Sequence, residues 1–429
     1  MNYQETLDYL YNQLPVFHRI GKAAYKANLD NTVALDRYFG SPHKKFISIH
    51  IAGTNGKGSV SHMLASVLHE AGLRTGLYTS PHLRDYRERI RINGEKIAEE
   101  RVTSFVADNI GILNDLKPSF FEMSVAMAFD HFAREKVDVA VIETGLGGRL
   151  DSTNIIYPIL SVITNIGYDH MDLLGNTLEK IAGEKAGIIK KNIPVIIGET
   201  NPETEEVFIS KAAECGSKII FADRLYSCSL DETGDSWERR GFTLTNKTTA
   251  GQTTGFTGLM GDYQEKNIPV VVMACDIIGQ KLGVESKHVA KGIENVIKNT
   301  DLRGRWQAIG RNPLVVCDTG HNREGLLWVI RQLMRIRKGE IHFVIGFVND
   351  KDLSLVLPLF PSGARYYFTR ASVPRALDQD ILREKASAYG LTGLSFEKTC
   401  DALTAARENA SVSDIIFIGG STFVVAEVI

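Results

Sequence analysis

The chain is poor in cysteine and has neither a long apolar run nor an excess of charge of one sign. Its five cysteines are scattered over 429 residues without a CxxC pair, which argues against a zinc site and favours the reduced thiols of the cytoplasm. The first residues, MNYQETLDYLYNQLPVF, lack the charged start and apolar stretch of a secretory signal. No apolar run approaches the roughly 20 residues that a membrane-spanning helix needs. We therefore expect a cytoplasmic protein without a membrane partner.

The near balance of charge also limits the classes of partner. The 49 Lys and Arg residues against 51 Asp and Glu residues give a formal net charge of −2. This balance indicates neither a basic face for nucleic acid nor an acidic tail. Apolar residues make up 44% of the chain, which is typical of a globular protein, and the length suffices for two or three domains with their own cores.

Short apolar runs alternate with helical stretches over the first part of the chain. The runs occur in KFISIHIAG, TGLYTS, VDVAVIE, PILSVITNIG and IPVIIGE. Such alternation predicts a parallel sheet with helices on both faces. Residues 1–45 are expected to be helical. Residues 225–260, rich in Thr, Ser and Gly, are expected to form strands and turns at an edge of this domain.

The same pattern restarts near residue 301. Strand-like runs occur in NPLVVCDTGHN, HFVIGFVNDKD, ARYYFTRA and SDIIFIGGSTF. We therefore predict two domains: a larger parallel-sheet domain over residues 1–298 and a smaller α/β domain over residues 299–429.

The strongest local motif is GTNGKGS at residues 53–59, between a predicted strand and a predicted helix. Glycines allow backbone N–H groups to converge on phosphate oxygens, the helix N-terminus favours negative charge, and Lys57 can neutralise the β- and γ-phosphates. The match to GxxxxGK[ST] is imperfect, because the first glycine is one position late and Gly58 separates Lys57 from Ser59. A plain glycine-rich turn is the alternative. Even a true phosphate loop does not distinguish a switch protein, a kinase and a ligase.

Three polar residues follow predicted strands and are candidate metal ligands. These are Ser80 after TGLYT, Glu143 at the end of VDVAVI, and His170 after ITNIGYD. Ligands bind beyond the carboxyl ends of strands in open parallel sheets. Mg²⁺ prefers oxygen ligands, so Ser80 and Glu143 suit it, whereas an imidazole is a less usual ligand. The alternative for His170 is a packing role. A carboxylate that ends an apolar strand is costly unless something pairs with it.

Lys185 lies in GEKAGIIK, a helix-like segment with apolar neighbours. A lysine is most often on a solvated face. The functional alternative is a carbamate formed with CO₂, which would place a negative charge beside a metal.

Taken together, these segments resemble the Mur ligase superfamily and, within it, the dihydrofolate synthase/folylpolyglutamate synthase family, from about residue 45 to the C-terminus. The motifs that carry the resemblance are GTNGKGS, Thr79–Leu83 with RERIRING, Phe121-Glu122, ETGLGGRLDSTN (143–154), Asp169-His170, GEKAGII, and Tyr263-Gln264 with Asn267. The resemblance implies a P-loop ATPase domain of Mur ligase type followed by a Rossmann-like ligase domain.

The resemblance also implies roles for individual residues. Those assigned to ATP are Thr54, Asn55, Gly56, Lys57, Gly58, Ser59, Gln264, Asn267, Arg305 and Asp318. Those assigned to magnesium are Ser80, Glu143 and His170, and those assigned to catalysis are Lys57, Lys185 and His170. The pteroate pocket would be lined by Ser119, Phe120, Phe121, Glu122, Leu150, Asp151 and Ser152. His321 and Ser421 are candidates for the amino-acid substrate. Lys185 matches the lysine that is carbamylated in this family.

The second domain departs from the family pattern in two places. Arg305 in LRGRWQ matches the arginine of a PGR motif, but Arg303 stands where that motif has proline. Asp318 and His321 match DGAHN, with Thr319 and Gly320 in place of Gly-Ala. The first departure leaves open the shape of the arginine loop, residues 302–307.

The implied activity is ATP-dependent amide formation with L-glutamate. The carboxylate of 7,8-dihydropteroate or of a (tetrahydro)folate polyglutamate would become an acyl phosphate, which the amine of L-glutamate then attacks. Magnesium at two sites would offset the developing charge. A cleft that closes between the two domains would exclude water, the rival nucleophile. We expect a monomer.

The sequence leaves several alternatives open. The family contains enzymes with one or both of the two ligase activities, and we favour both because the pteroate-lining segments are intact. A Mur-type ligase for another carboxylate is a second option, although about 45 residues before the first strand are too few for a UDP-binding domain. A P-loop switch that only binds nucleotide is the non-enzyme alternative, and it would not need Arg305, Asp318 and His321.

Overall fold

The computed structural model describes residues 1–12, 14, 28–232 and 237–429, and the chain divides into two compact units. The first unit comprises Met1–Asp231, Gly241–Gly258 and Gln264–Asp301, and the second comprises Glu232–Arg240, Leu259–Tyr263 and Leu302–Ile429. The last division falls after Asp301, whereas the sequence predicted it after residue 298. Two short segments that precede it also belong to the second unit.

An eight-stranded sheet forms the centre of the first unit. Its strands are β1 (Ile47–Ala52), β2 (Thr75–Tyr78), β3 (Ile90–Ile92), β4 (Glu95–Lys96), β5 (Val139–Glu143), β6 (Leu160–Ile163), β7 (Val195–Ile197) and β8 (Ile219–Phe221). The spatial order is β4-β3-β2-β5-β1-β6-β7-β8. β3 and β4 are antiparallel to their neighbours, and the other strands are parallel.

The central strands are apolar and buried on both faces. VAVIE in β5 and LSVI in β6 are buried at every position. Parallel strands covered by helices on both sides carry such continuous apolar runs. The parallel sheet and all five of its apolar strands are therefore confirmed.

Helices cover both faces of this sheet. They are α1 (Tyr3–Asn12), α2 (Asp30–Tyr38), α3 (Lys57–Glu70), α4 (Glu99–Asp108), α5 (Ile110–Leu116), α6 (Phe120–Arg134), α7 (Met171–Leu174), α8 (Leu178–Ala186), α9 (Glu205–Glu214), α10 (Ala222–Leu225), α11 (Gln264–Leu282), α12 (Ser286–Glu294) and α13 (Val296–Thr300). Short 3₁₀ helices occur at Pro42–Lys44, Tyr86–Arg89 and Ser152–Ile155. The helical prediction for residues 1–45 is met by α1 and α2, and residues 13 and 15–27 lie outside the described part.

A small sheet accounts for residues 225–260. It contains β9 (Tyr226–Leu230), β10 (Arg240–Asn246) and β11 (Gln252–Thr257) in the order β11-β10-β9. β9 and β10 are antiparallel. The expected strands and turns are thus present, although residues 232, 237–240 and 259–260 belong to the second unit and not to the first.

The second unit contains a six-stranded sheet in the order β12-β13-β17-β14-β15-β16. Its strands are β12 (Gln307–Arg311), β13 (Leu314–Cys317), β14 (Ile341–Ile345), β15 (Arg365–Thr369), β16 (Gly393–Phe396) and β17 (Ile415–Gly419). Its helices are α14 (Arg323–Ile336), α15 (Gln379–Ser387), α16 (Thr399–Asn409) and α17 (Thr422–Ala426), with 3₁₀ helices at Leu353–Leu355 and Leu357–Leu359. Only β12 is antiparallel. The predicted second α/β domain is confirmed.

A buried polar network ties the two short segments to the second unit. Gln332 on α14 donates to the carbonyl of Met260 (2.9 Å) and accepts from the backbone N–H of Asp262 (2.7 Å). The guanidinium of Arg240 donates to the same carbonyl (3.0 Å) and to the Asp262 carboxylate (2.7 Å).

Within the described residues, no helix has both the length and the apolar character to cross a membrane.

Candidate active site

The predicted phosphate loop and metal ligands follow four strands that are neighbours in the first sheet. β2, β5, β1 and β6 lie side by side, with Tyr78 opposite Ile142, Ile51 opposite Glu143, and Ala52 opposite Ile163. Their carboxyl ends therefore meet at one edge. Ser80, Glu143, the 53–59 loop and the segment that leads to His170 all start from that edge, where open α/β sheets bind ligands.

Two glycines give the phosphate loop its shape. Gly53 has φ of +147°, and a Cβ there would lie 1.8 Å from Oγ1 of Thr164. Gly56 has φ of +86°, and a Cβ there would lie 2.4 Å from Oδ1 of Asn267. A side chain at either position would be both strained and in collision, so the loop depends on glycine for conformation and for close packing.

The segment after β6 holds the first half of the loop. The backbone N–H of Thr54 donates to the carbonyl of Asn165 (3.0 Å), and that of Asn55 donates to the Asn165 side-chain oxygen (2.8 Å). Thr164 Oγ1 donates to the Asn55 carbonyl (2.5 Å). The loop is thus fixed by hydrogen bonds to its neighbouring strand.

The second half of the loop is the start of α3. Gly56 is the N-cap residue and has no side chain to satisfy the first N–H groups of the helix. Such an uncapped N-terminus attracts an anion such as phosphate. The Lys57 ammonium donates to the carbonyls of Gly53 (3.0 Å) and Thr54 (3.3 Å), which keeps its charge over the loop.

Gln264 and Asn267 act on the loop from the start of α11. Gln264 is fully buried; its amide donates to Ser59 Oγ (3.2 Å) and accepts from the Asn267 side chain (2.8 Å). These contacts brace the phosphate loop against α11. A direct contact of either residue with ATP stays a prediction.

Lys185 is on α8 and 4% exposed, so the solvated-face alternative is wrong. Its ammonium donates to the carbonyl of Gly53 (2.9 Å), which also accepts from Lys57. Burial, and then the nearby charge of Lys57, lower the pKa of Lys185 to about 7. An amine with this pKa is substantially neutral at physiological pH, the form that reacts with CO₂.

The three candidate metal ligands have donor types that fit a magnesium ion. Glu143 is 4% exposed at the end of β5, and Ser80 and His170 are half-buried. A buried carboxylate favours a cation nearby, and the hydroxyl and carboxylate are oxygen donors that Mg²⁺ prefers. Within the described residues, no group of three or more His, Cys, Asp and Glu side chains could hold a metal ion. Glu143 and His170 are only two side chains of these types, so ligation of magnesium by Ser80, Glu143 and His170 stays a prediction.

Ser119 and Glu122 form a capping box at the start of α6. Glu122 accepts from the backbone N–H of Ser119 (2.6 Å), and Ser119 Oγ accepts from that of Glu122 (3.2 Å). Their hydrogen bonds stabilise the helix end. Binding of the acid substrate by these two side chains stays a prediction.

The two adjacent phenylalanines differ in their surroundings. Phe120 is 4% exposed, stacks on Tyr11 (5.4 Å between centroids) and meets the edge of Tyr86 (5.6 Å). Phe121 is half-buried and lies against Gly145, where a Cβ would be 2.4 Å from its ring. Core packing, the competing use for this pair, thus describes Phe120, whereas Phe121 borders the glycine-rich loop after β5.

Asp151 shapes that glycine-rich loop. Its carboxylate accepts from the N–H groups of Gly145 and Leu146 (both 2.8 Å) and from Thr153, through the N–H (3.0 Å) and Oγ1 (2.5 Å). Burial nevertheless raises the pKa of Asp151. Leu150 is half-buried and Ser152 is buried beside it. Substrate contacts of these three residues stay predictions.

Arg89, in RERIRING, has no role predicted from the sequence. Arg89 is 2% exposed, its guanidinium is 5.0 Å from the centroid of the Phe120 ring, and its Nε donates to His82 Nδ1 (2.7 Å). The proton of His82 is therefore on Nε2, which faces the Tyr11 hydroxyl at 3.2 Å. The signal that could have identified Arg89 is its place directly before an apolar strand, because a buried arginine is rare unless its charge is paired.

In the second unit, Asp318 holds the arginine loop. Its carboxylate accepts from Tyr263 Oη (2.6 Å) and from the backbone N–H groups of Trp306 and Gly320 (both 2.7 Å). Burial raises its pKa. Arg305 precedes Trp306 and donates to Thr319 Oγ1. Arg305 and Asp318 therefore belong to one cluster, and their contact with ATP stays a prediction.

His321 and Ser421 also belong to the second unit. His321 Nδ1 is 3.0 Å from the carbonyl of Thr319, just before α14. Ser421 is the N-cap of α17, and its hydroxyl accepts from the N–H of Phe423 (3.2 Å). The assignment of both side chains to the amino-acid substrate stays a prediction.

Comparison with protein families gives two matches that follow each other along the chain. Residues 51–275 match the Mur ligase middle domain, and residues 304–422 match the Mur ligase glutamate ligase domain.

Curated relatives cover nearly the whole chain. The dihydrofolate synthase/folylpolyglutamate synthase of Bacillus subtilis is 30% identical over 99% of this chain and 98% of its own length. A probable bifunctional folylpolyglutamate synthase/dihydropteroate synthase of Haloferax volcanii is also 30% identical, over 100% of this chain. The chain spans 50% of the length of that second relative.

Solved structures are similar over almost their full length. Escherichia coli FolC in complex with DHPP and ADP has a TM-score of 0.84 at 27% identity and covers 99% of this chain and 96% of its own. The Yersinia pestis bifunctional folylpolyglutamate synthase/dihydrofolate synthase with AMPPNP and Mn has a TM-score of 0.82 at 26% identity, with coverages of 99% and 97%.

Proposed function

The chain belongs to the dihydrofolate synthase/folylpolyglutamate synthase family of Mur ligases, and from that premise we propose that it joins L-glutamate to a folate-type acid with the use of ATP. The observation that carries the proposal is the meeting of the 53–59 loop, Ser80 and Glu143 at the carboxyl ends of β1, β2 and β5. Under this proposal the protein is an acid–amino-acid ligase, an enzyme that forms C–N bonds.

The first chemical step is attack of the acid's carboxylate oxygen on the γ-phosphorus of ATP, with ADP as the leaving group. The uncapped start of α3 and the Lys57 ammonium supply positive potential where the phosphates carry negative charge. The product is an acyl phosphate. The L-glutamate amine then attacks its carbonyl carbon, phosphate leaves, and the amine loses a proton as the amide forms.

Ser80, Glu143 and His170 would hold a magnesium ion at this edge. The ion supplies positive charge that offsets the charge developing on the phosphates. A second ion is part of the proposal, with Lys185 as the residue that would supply its anionic ligand.

Carbamylation of Lys185 is supported by its environment. CO₂ adds to a neutral amine, so that an N–C bond forms and a proton is released. The lowered pKa of about 7 makes the neutral amine available. The resulting negative charge would also offset that of the nearby Lys57 ammonium.

For the acid substrate, we propose that Phe121 and the Gly145–Leu146 turn form one wall of the pocket, with Arg89 close to it. An aromatic ring beside a glycine turn can stack on a flat pterin. We propose both dihydropteroate and (tetrahydro)folate polyglutamates as substrates, in a cytoplasmic monomer.

The decisive experiment measures phosphate release with ATP, L-glutamate and each acid in turn. Turnover should require both the acid and L-glutamate, and both acids should support it. ATP turnover indifferent to either acid would contradict the proposal and favour a nucleotide switch. Turnover with tetrahydrofolate alone would restrict the activity to polyglutamate extension.

The metal and lysine roles are tested by single substitutions. Glu143→Ala should abolish turnover with an unchanged circular dichroism spectrum, and near-normal activity would remove Glu143 from the site. Lys185→Ala should also be inactive, and short carboxylic acids should restore part of its activity. Failure of rescue at every concentration would contradict the carbamate.

A further inference from the structure

Beyond the assigned residues, one side-chain amide controls the phosphate loop and is itself held by a carboxylate. Asn165 Oδ1 accepts from the backbone N–H of Asn55 (2.8 Å), and Asn165 Nδ2 donates to Glu199 Oε1 (3.0 Å). Glu199 follows β7, two strands from β1, and carries no role in the site described above.

We propose that Glu199 is a positioning residue for ATP, which acts through Asn165 on the phosphate loop. The proposal rests on the ATP-dependent function proposed above. Glu199 fixes the orientation of the Asn165 amide, and the amide fixes which backbone N–H groups of the loop remain for phosphate.

The chemistry of the donors sets the orientation of the amide. A backbone N–H can only donate, so the Asn165 atom that faces Asn55 must be the oxygen, and the atom that faces Glu199 must be the NH₂ group. With the amide turned over, two donors would face each other at Asn55. The Glu199 carboxylate, which only accepts, selects the first orientation.

The backbone N–H groups in the two halves of the loop therefore have different roles. Asn165 takes the N–H groups of Thr54 and Asn55 through its backbone and side-chain oxygens. The N–H groups at the start of α3, beyond Gly56, have no side-chain cap. Phosphate is therefore directed to the helix start and away from the first half of the loop.

The sheet places Glu199 within reach of Asn165. Gly198 donates from its N–H to the carbonyl of Ile163 (2.8 Å), and a Cβ on Gly198 would lie 2.2 Å from the carbonyl oxygen of Thr164. This close approach of the two strand ends brings the next residue, Glu199, beside Asn165.

The ion pair with Lys266 does not explain why Glu199 lies beside Asn165. Lys266 Nζ lies 3.3 Å from the other oxygen, Oε2, and the two side chains are 43% and 30% exposed. Exposed pairs of this kind contribute little to stability. Lys266 touches Glu199 but has no hydrogen bond to Asn165, so it provides a matched control.

The test compares four single variants of the full chain, Glu199→Ala, Glu199→Gln, Lys266→Met and Asn165→Ala, and the double variant that combines Glu199→Ala with Asn165→Ala. The readouts are the Kd of a non-hydrolysable ATP analogue by calorimetry and the separate KM values for ATP and for the acid. Glu199→Ala should weaken nucleotide binding and raise KM for ATP by about three- to tenfold, the effect of losing one hydrogen bond. KM for the acid should stay within twofold.

The remaining variants separate positioning from general stability. Glu199→Gln keeps an acceptor for Asn165 and should restore wild-type binding, and Lys266→Met should match wild type. Adding Glu199→Ala to Asn165→Ala should cause no further loss, because both act through one contact. Unchanged Kd in Glu199→Ala, equal rises of both KM values, or additive losses would overturn the proposal. If the wild-type chain bound no ATP analogue, the proposed function would fail instead.

Discussion

At the scale of single residues, Lys185 combines a buried charge with a reactive amine. Its pKa is lowered from 10.5 to about 7, first by burial and second by the charge of Lys57. Between these two values the folded chain binds fewer protons than the unfolded chain, so this lysine makes stability rise with pH across that window. Its penalty is fully present below pH 7 and disappears towards pH 10.5.

We expect Lys185→Met to stabilise the fold even though it removes a functional group. In CO₂-free buffer with a chelator, the Tm of the variant should exceed that of wild type at pH 6.5, and the difference should shrink as the pH approaches 10. Lys281→Met, at an exposed lysine of α11, should show no such trend. A Tm difference that does not change with pH would contradict the prediction that Lys185 carries a destabilising buried charge at low pH.

The adjacent rings of Phe120 and Phe121 should respond differently to truncation. Phe120→Ala removes a ring packed between Tyr11, Tyr86 and Arg89, and should lower the free energy of unfolding by about 3–5 kcal/mol. Phe121→Ala should destabilise less but raise KM for the acid. Urea unfolding and steady-state kinetics separate the two effects. Equal changes in stability and in KM for both variants would contradict this division.

At the scale of elements, the turn from β1 into α3 tolerates no side chain at its first glycine. Gly53→Ala adds a Cβ where Thr164 Oγ1 would be 1.8 Å away, whereas Gly72, with φ of +80°, has no atom within 4 Å of a new Cβ. Both substitutions strain a positive φ, which costs about 1 kcal/mol. Only Gly53→Ala also places the new Cβ in collision with Thr164, the residue that follows β6.

The comparison of these two glycine variants isolates the collision from the strain. Gly72→Ala should lower stability by about 1 kcal/mol and leave ATP affinity unchanged. Gly53→Ala should lose ATP binding, as measured by calorimetry with an ATP analogue. Wild-type affinity in Gly53→Ala would show that the loop can shift away from Thr164.

The elements themselves were largely predictable from the sequence. Most side chains of β1, β5 and β6 are apolar because both faces of a parallel sheet are buried, and the glycines of residues 53–59 mark the turn between strand and helix. Their adjacency at one edge follows from strand order, which a sequence pattern alone does not fix. The parallel fold limited that order to few choices.

The roles of single side chains were less predictable, because they depend on partners far along the chain. The family resemblance assigned Gln264 to ATP, and that contact stays a prediction, but the sequence did not indicate that its amide binds Ser59 and Asn267. The assignment of Asp318 to ATP also stays a prediction, and its hydrogen bonds from Tyr263, Trp306 and Gly320 were not predicted. Motif matching identifies residues near a site, and packing decides whether they bind the ligand or hold the residues that do.

At the scale of the whole molecule, the chain does not divide into two consecutive domains. The second unit needs Glu232–Arg240 and Leu259–Tyr263, which precede the predicted boundary. Gln332 is 1% exposed, and its amide donates to the carbonyl of Met260 and accepts from the backbone N–H of Asp262. Without those segments, a buried amide on α14 would lose its partners, which costs about 1–3 kcal/mol for each unsatisfied group.

A fragment of residues 302–429 should therefore be much less stable than the same residues within the full chain. It lacks the Met260 and Asp262 partners of Gln332 and the Tyr263 partner of Asp318, so urea should unfold it at a lower midpoint or without a cooperative transition. Adding a peptide of residues 257–265 should restore part of the stability. In the full chain, Gln332→Leu removes the same amide but keeps the segments, and should cost less than the truncation. A fragment that unfolds cooperatively at the full-chain midpoint would show that the early segments are dispensable and that the boundary near residue 298 is a true domain boundary.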